Sequence, residues 1–216
     1  IKKKDAKAYT HGGKFHADDV FSAALLLYIN PEIVISRGNK VPEDFDGIVF
    51  DIGRGRYDHH QKDSRVRENG VPYAALGLLW EALGKEIRGE ELAEKLDESF
   101  IQPLDINDNT GEKNELATLI GNFNPPWDAK GGSDEAFFQA VSVAGMILEN
   151  KFERYRGNAR ADQRVEQVLE EHNPKDRILV LPEFIPCQKA LDETEIAFVI
   201  FPSNRGGYCI QPQKRE

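Results

Sequence analysis

Residues 6–30 read AKAYTHGGKFHADDVFSAALLLYIN, and their order decides the fold. AKAYT is rich in strand formers, the Gly12–Gly13 pair allows a sharp turn, and ADDVFSAALLLYIN has the length and apolar content of a helix. Two more β-rich runs follow, EIVIS (32–36) and DGIVFDI (46–52), each ended by Gly, Pro or Asn. Strand and helix in alternation predict a parallel α/β sheet. In such sheets ligands bind beyond the carboxyl ends of the strands, where His11 and Asp51 fall.

From Pro72 the pattern turns helical. PYAALGLLWEALG has Pro near its start and Gly at its end, the usual asymmetry of a helix. EELAEKLDESFIQ repeats apolar residues at three and four until Pro103 interrupts it. Further helices are predicted over 113–121 and 134–155, separated by the loop GNFNPPWDAKGG, and a charged helix follows over about 159–172. ILVLPEFIPC, EIAFVIFP and GGYCIQP are then short β-rich runs, the last two joined by SNRG as a hairpin. The organisation expected is an α/β domain over 1–157, its parallel sheet surrounded by helices, and over 158–216 a linker helix with a smaller α+β domain.

Length and composition are consistent with that division. A chain of 216 residues holds one sizeable core, or a domain of roughly 150 residues with a smaller one. With 40% hydrophobic and 30% charged residues it reads as a soluble globular protein. Net charge is −9, from 37 acids against 28 bases, which disfavours a grip on long duplex nucleic acid and suits divalent metal with a short or small anionic substrate. Cys187 and Cys209 are too few for a disulfide scaffold and lack metal-site spacing, so a reducing, cytoplasmic setting is the simpler expectation. The basic start IKKKDAKAYTH has no apolar continuation of the signal-peptide kind, and the apolar run from Phe21 to Ile29 is less than half the roughly 20 residues that span a bilayer. No membrane partner is expected, Ile1 in place of Met suggests a trimmed sequence, and a homodimer is compatible with the composition.

The chemistry concentrates in four segments. THGGKFHADD places His11, His16 and Asp18 around a glycine turn, and Asp18 and Asp19 open the next helix, where a simple capping role also accounts for either acid. Asp51 closes the apolar run GIVFD, and a carboxylate there costs desolvation unless it is paired or bound to a cation. Residues 57–61 read YDHHQ; adjacent side chains point to opposite faces of a strand or lie about 100° apart on a helix, so His59 and His60 serve different roles. PLDINDNTG adds Asp105 and Asp108 at the end of a helix. Imidazole and carboxylate together suit Mn²⁺, Zn²⁺, Fe²⁺ or Mg²⁺. Each group alone is more often structural, but four segments that bring His or Asp to one sheet edge point to a metal centre.

Basic residues flank these motifs: Lys14, Arg54, Arg56, Lys62, Arg65 and Arg67, which either pair with phosphate or form a solvated surface. Trp127 in NPPWD could stack a base, though ordinary packing is the simpler expectation; Trp80 reads as core and His172 as a solvated helix end.

THGGKFHADD, VFDIGRGRYDHHQ, LDINDN, NPPWD and EIAFVIFPSNRGGYCIQP resemble, in order, the motifs of the melanocyte-proliferating-gene (Myg) family, a divergent branch of the DHH phosphoesterases. The resemblance implies a DHH-like N-terminal catalytic domain and an incomplete C-terminal substrate domain. It also implies two divalent cations, Mn²⁺ preferred, with Mg²⁺ or another transition metal as alternatives. His11 and His16 would hold one ion, Asp51 would bridge, and Asp18 and His59 with Asp105 or Asp108 would hold the second. His16 stands where most relatives have an aspartate, a change that favours transition ions. Asp51, Asp58 and His60 would form the catalytic group, with Asp58 supporting a ligand imidazole, and His60, Lys14, Arg56 and Lys62 would face substrate phosphate.

The function so implied is a metal-dependent phosphodiesterase, a 3′–5′ exonuclease on short RNA or single-stranded DNA. A small-molecule phosphohydrolase acting on pyrophosphate or a cyclic dinucleotide is the second reading, favoured by the acidic net charge. A metal-stabilised binding protein without turnover is the third, and it alone predicts metal uptake with no hydrolysis.

Overall fold

The computed structural model describes residues 1–192 and 194–213. β1 (Lys7–His11) is the centre of a parallel three-stranded sheet, flanked by β2 (Val34–Gly38) and β3 (Ile48–Val49). α1 (Ala17–Ile29) connects β1 to β2, so the α/β alternation of the sequence is what forms. Residues 17–26 of this helix are all buried, as expected for a helix apolar on nearly every side, and Asp18 and Asp19 are buried with them. Because β2 and β3 lie on opposite sides of β1, the strand order reverses there, and a crevice belongs at the carboxyl ends of β1 and β3.

β3 is shorter than DGIVFDI suggests. Ile48 and Val49 pair with Ala8 and Tyr9, Phe50 bridges to Tyr57, and Asp51 then leaves extended geometry with φ 54. α2 (Ala75–Arg88) starts three residues after Pro72 and runs through Gly84 to Gly89, whose φ of 78 stops it. Gly84 is there for room rather than termination: a Cβ would stand 2.8 Å from the Trp80 ring.

Nor does Pro103 end a helix. α3 (Glu90–Leu96), one π-helical turn (Asp97–Ile101) and α4 (Gln102–Thr110) follow without an intervening loop. Proline sits in the first turn of α4, where its missing N–H is tolerated, and the wider turn before it shifts the hydrogen-bonding partners. α5 (Glu115–Gly121) forms where expected. α6 (Asp134–Glu170) is one helix in place of the two expected over 134–155 and 159–172. A lone Gly157 costs only about 1 kcal/mol relative to Ala; Arg160 pairs with Glu153 across it, and Arg156 pairs with the same Glu153 just before it.

Two compact units divide the chain, residues 1–150 and from Lys151 onward. The first packs Phe15, Phe21, Phe50, Leu76, Leu79 and Phe137 into its interior. In the second, Val165 of α6 packs with Leu179, Leu181, Leu191 and Val199. There β4 (Ile178–Val180) runs parallel to β5 (Phe198–Pro202), and β6 (Tyr208–Pro212) closes the expected antiparallel hairpin. Cys187 and Cys209 are both free. Among the described residues no helix is long and apolar enough to cross a membrane.

Trp80 is core, with Nε1 donating to the Ala93 carbonyl at 2.9 Å. His172 lies just past α6, its Nε2 2.9 Å from the Asp176 carbonyl. Trp127 does not take the packing role: its side chain is 97% exposed.

Candidate metal centre

β1 ends on His11 and β3 leads into Asp51, so neighbouring strands deliver an imidazole and a carboxylate to one place. His11 Nε2 lies 3.2 Å from Asp51 Oδ2 and 3.1 Å from Asp19 Oδ2. The other oxygen of Asp19 accepts from the His16 backbone N–H at 2.8 Å, closing a capping box at the start of α1. One carboxylate thereby both caps its helix and faces the centre.

The second oxygen of Asp51 faces a second imidazole, His59, with Oδ1 3.2 Å from Nε2. That same nitrogen is 3.1 Å from Asp108 Oδ2, near the end of α4. His59 Nδ1 is 3.2 Å from Asn109 Oδ1, and Asn109 Nδ2 donates to the carbonyls of Tyr73 and Asp105 at 3.1 and 2.9 Å. With its amide donor committed, Asn109 offers an acceptor, which places the proton on Nδ1 and turns Nε2 toward the carboxylates. Asp18 completes this side. Its two oxygens accept from the backbone N–H groups of Ala75 and Leu76 at 3.0 and 2.8 Å, at the start of α2, whose N-cap residue Ala74 has no acceptor of its own.

Among the described residues, three groupings bring potential ligand atoms within 4.8 Å of one another: His11 with Asp19 and Asp51, Asp18 with His59 and Asp108, and Asp51 with His59 and His60. His16 belongs to none of them; it is exposed, with Nδ1 3.8 Å from Asp108 Oδ1. Asp105 is also apart. It is fully buried, 2.8 Å from a guanidinium nitrogen of Arg67, and accepts from the Gly77 N–H at 3.2 Å.

Asp58 supports His60 rather than His59. It accepts from the backbone N–H groups of Arg54 and His60 at 2.6 and 3.1 Å, and its Oδ1 is 2.7 Å from His60 Nδ1. The His60 side chain is 60% exposed, with Nδ1 3.6 Å from Asp51 Oδ1. Lys14, Arg54, Arg56 and Lys62 are exposed. Arg65 forms two 2.6 Å bonds to Glu81, while buried Arg67 pairs with Asp97 and Asp105, so these two guanidinium groups hold the fold.

Electrostatics follow from the crowding. Asp19 and then Asp51 raise the His11 pKa to about 10, against the opposing effect of burial. Burial lowers that of His59, but Asp108 and Asp51 outweigh it and bring the value to about 11. Burial raises the Asp51 pKa, His11 and His59 outweigh it, and the result is about 2. Asp18 and Asp19 are raised, first by burial and further by the charge of Asp51. Four carboxylates against two imidazoles leave an excess of negative charge that a divalent cation would offset.

The residues fit such an ion. Asp19 Oδ2 is buried and no backbone or hydroxyl donor reaches it; it faces only His11 Nε2 at 3.1 Å, itself a potential ligand atom. The donor set of carboxylate oxygen and imidazole nitrogen suits Mn²⁺, Fe²⁺, Zn²⁺ and Mg²⁺. Asp51 also holds a left-handed backbone, φ 54, at a cost of about 1 kcal/mol or more, with Arg54 at φ 57 in the same turn.

Asp19 and Asn109 are the contributors that the sequence motifs did not single out. The signal for Asp19 is its position three residues after His16, the capping-box spacing. Asn109 follows Asp108 directly, and only the packing of α4 against the YDHHQ loop gives it a role.

A family model described as "Uncharacterised protein family (UPF0160)" matches residues 7–215. A "MYG1 protein" of Schizosaccharomyces pombe is 27% identical over 186 residues, covering 68% of this chain and 57% of that protein. A "MYG1 exonuclease" of Bos taurus is 26% identical over 262 residues, covering 96% of this chain and 68% of that protein. The Homo sapiens "MYG1 exonuclease" is 29% identical over 171 residues, covering 60% and 45%. The chain thus spans about half to two thirds of the length of these relatives. No solved structure matches.

Proposed function

This chain belongs to the MYG1 exonuclease family, UPF0160, and from that premise we propose that it is a metal-dependent phosphodiesterase, a 3′–5′ exonuclease on short RNA or single-stranded DNA. The observation that carries the reading is Asp51, each of whose oxygens stands 3.2 Å from a different imidazole, so that one carboxylate is shared by two groups of ligand atoms. His11, Asp19 and Asp51 would hold one divalent ion, and Asp18, His59 and Asp108 the other. We assign the second-ion role to Asp108 over Asp105 because Arg67 already neutralises Asp105. Divalent ions held by these residues would supply a water of lowered pKa and positive charge to offset that of the phosphate.

The chain's own residues do the rest. Asp58 holds His60 through Nδ1, and Nε2 of the exposed ring donates to a phosphate oxygen in the imidazolium form. Lys14, Arg56 and Lys62 supply positive charge for the remaining phosphate oxygens. The burial of Asp18, Asp19 and Asp51 keeps water from screening the centre. A DHH-like arrangement of the first unit is part of the same reading.

Labelled oligonucleotides with Mn²⁺ test it. With a 5′ label, a ladder of progressively shorter products is expected. Immediate release of a labelled mononucleotide reverses the polarity, and inert oligonucleotides with rapid pyrophosphate hydrolysis favour the small-molecule reading.

A further inference from the structure

We propose that Trp127 is a stacking platform for a nucleobase of the substrate strand, and so makes base-bearing single strands the preferred substrate. Its side chain is 97% exposed, and among the described residues it has no ring contact or hydrogen bond. Exposure on this scale leaves the large apolar faces of an indole in water, where a stacked base can cover them.

The loop that carries it is fastened at both ends to the loop of His11 and His16. On one side Asn124 grips the backbone of Phe15 twice, accepting from its N–H at 3.0 Å and donating to its carbonyl at 2.8 Å. On the other, Ser133 Oγ donates to the Gly13 carbonyl at 2.6 Å, and Arg37 donates to the same oxygen at 2.9 Å. Between these anchors Pro125 and Pro126 stiffen the chain, and the Ala129 N–H closes a turn on the Pro126 carbonyl at 3.0 Å. Trp127 is three residues from Asn124, so its Cα lies at most about 11 Å from that of Asn124. An anchored aromatic on a loop fastened beside a candidate metal centre matches the way single strands are held, with backbone charge met by cations and bases met by rings. Lys14 is exposed in the loop of His11 and His16. A protein ligand would have no use for the metal groups, whereas a strand with its phosphate at the centre would carry neighbouring bases past the loop of His11 and His16, to which this loop is fastened.

This inference rests on the phosphodiesterase reading, and the experiment separates the two. Cleavage of pentathymidylate is compared with cleavage of a pentamer of tetrahydrofuran abasic units, in the native chain, Trp127→Phe and Trp127→Ala. The native chain is expected to favour the base-bearing strand, Trp127→Ala to lose about tenfold of that preference through KM, and Trp127→Phe to keep most of it. Equal preference in native and Trp127→Ala overturns the inference while the phosphodiesterase reading stands. If neither strand is cut, that reading fails, and a fluorescence titration with hydrolysis-resistant phosphorothioate pentathymidylate decides alone. Trp80 is only 3% exposed, so quenching present in the native chain and absent from Trp127→Phe supports stacking, and its absence from both overturns it.

Discussion

At Asp51, backbone and chemistry can be tested apart. Asn and Asp are the side chains that best tolerate the left-handed region, so Asp51→Asn keeps the turn at φ 54 while removing the charge shared by His11 and His59. A fall in hydrolysis of about a thousandfold or more is expected with an unchanged circular dichroism spectrum, and near-native activity would sink the site. Asn109→Ala removes the acceptor that fixes the His59 tautomer; metal affinity measured by calorimetry should fall by about 10- to 100-fold. The placement of His11 at the end of β1 and of Asp51 just beyond β3 was legible in the sequence because each closes a readable apolar run, whereas His59 drew notice only as one of two adjacent imidazoles. Asp19 and Asn109 were not, since an acid in a first turn is ordinarily a cap and an Asn beside an Asp ordinarily a helix end.

Among the elements, a buried cluster ties the segment before α2 to the helices after it. Arg67 bonds Asp97 on the π-helical turn and Asp105 on α4, and Gly77 of α2 faces Asp105 and Arg67. A Cβ at Gly77 would come 1.9 Å from Asp105 Oδ2 and 2.6 Å from Arg67 Nη2. Gly→Ala inside a helix usually stabilises by about 1 kcal/mol; Gly77→Ala should instead destabilise, read as a lower urea midpoint. Arg67→Met leaves Asp105 buried without its cation and should cost about 3 kcal/mol or more. Burial already raises the Asp105 pKa to about 6 even with Arg67 opposing it. The alternation of β1, α1 and β2 was legible from hydrophobic pattern alone. The passage through Pro103, Gly84 and Gly157 was not, because each looks like a stop until its neighbours are placed: a π turn, the Trp80 ring, and the ion pairs around Glu153.

For the molecule as a whole, metal and protons compete. The carboxylates hold His11 protonated to about pH 10 and His59 to about pH 11 when no metal is bound, well above the ordinary value of 6.5. In chelated protein these pairs therefore contribute stability that is complete below pH 6.5 and is lost as pH rises through 10 to 11. Ligation needs the unprotonated nitrogen, so filling both sites near neutrality should release about two protons, one per ion, and the apparent affinity for each ion should climb by about tenfold per pH unit. Calorimetry in buffers of different ionisation enthalpy measures the release; a buffer-independent heat would contradict it. By itself the sequence determined the parallel α/β pattern, the ends of the strands on which His11 and Asp51 fall, and a metal-suited set of His and Asp, because hydrophobic period and residue chemistry are local properties. Only the tertiary structure decided that Asp19 joins His11, that Asp108 rather than Asp105 faces His59, and that Trp127 stays in water. Those choices depend on which cation or backbone donor reaches each group first, and that is settled by packing between segments far apart in the chain.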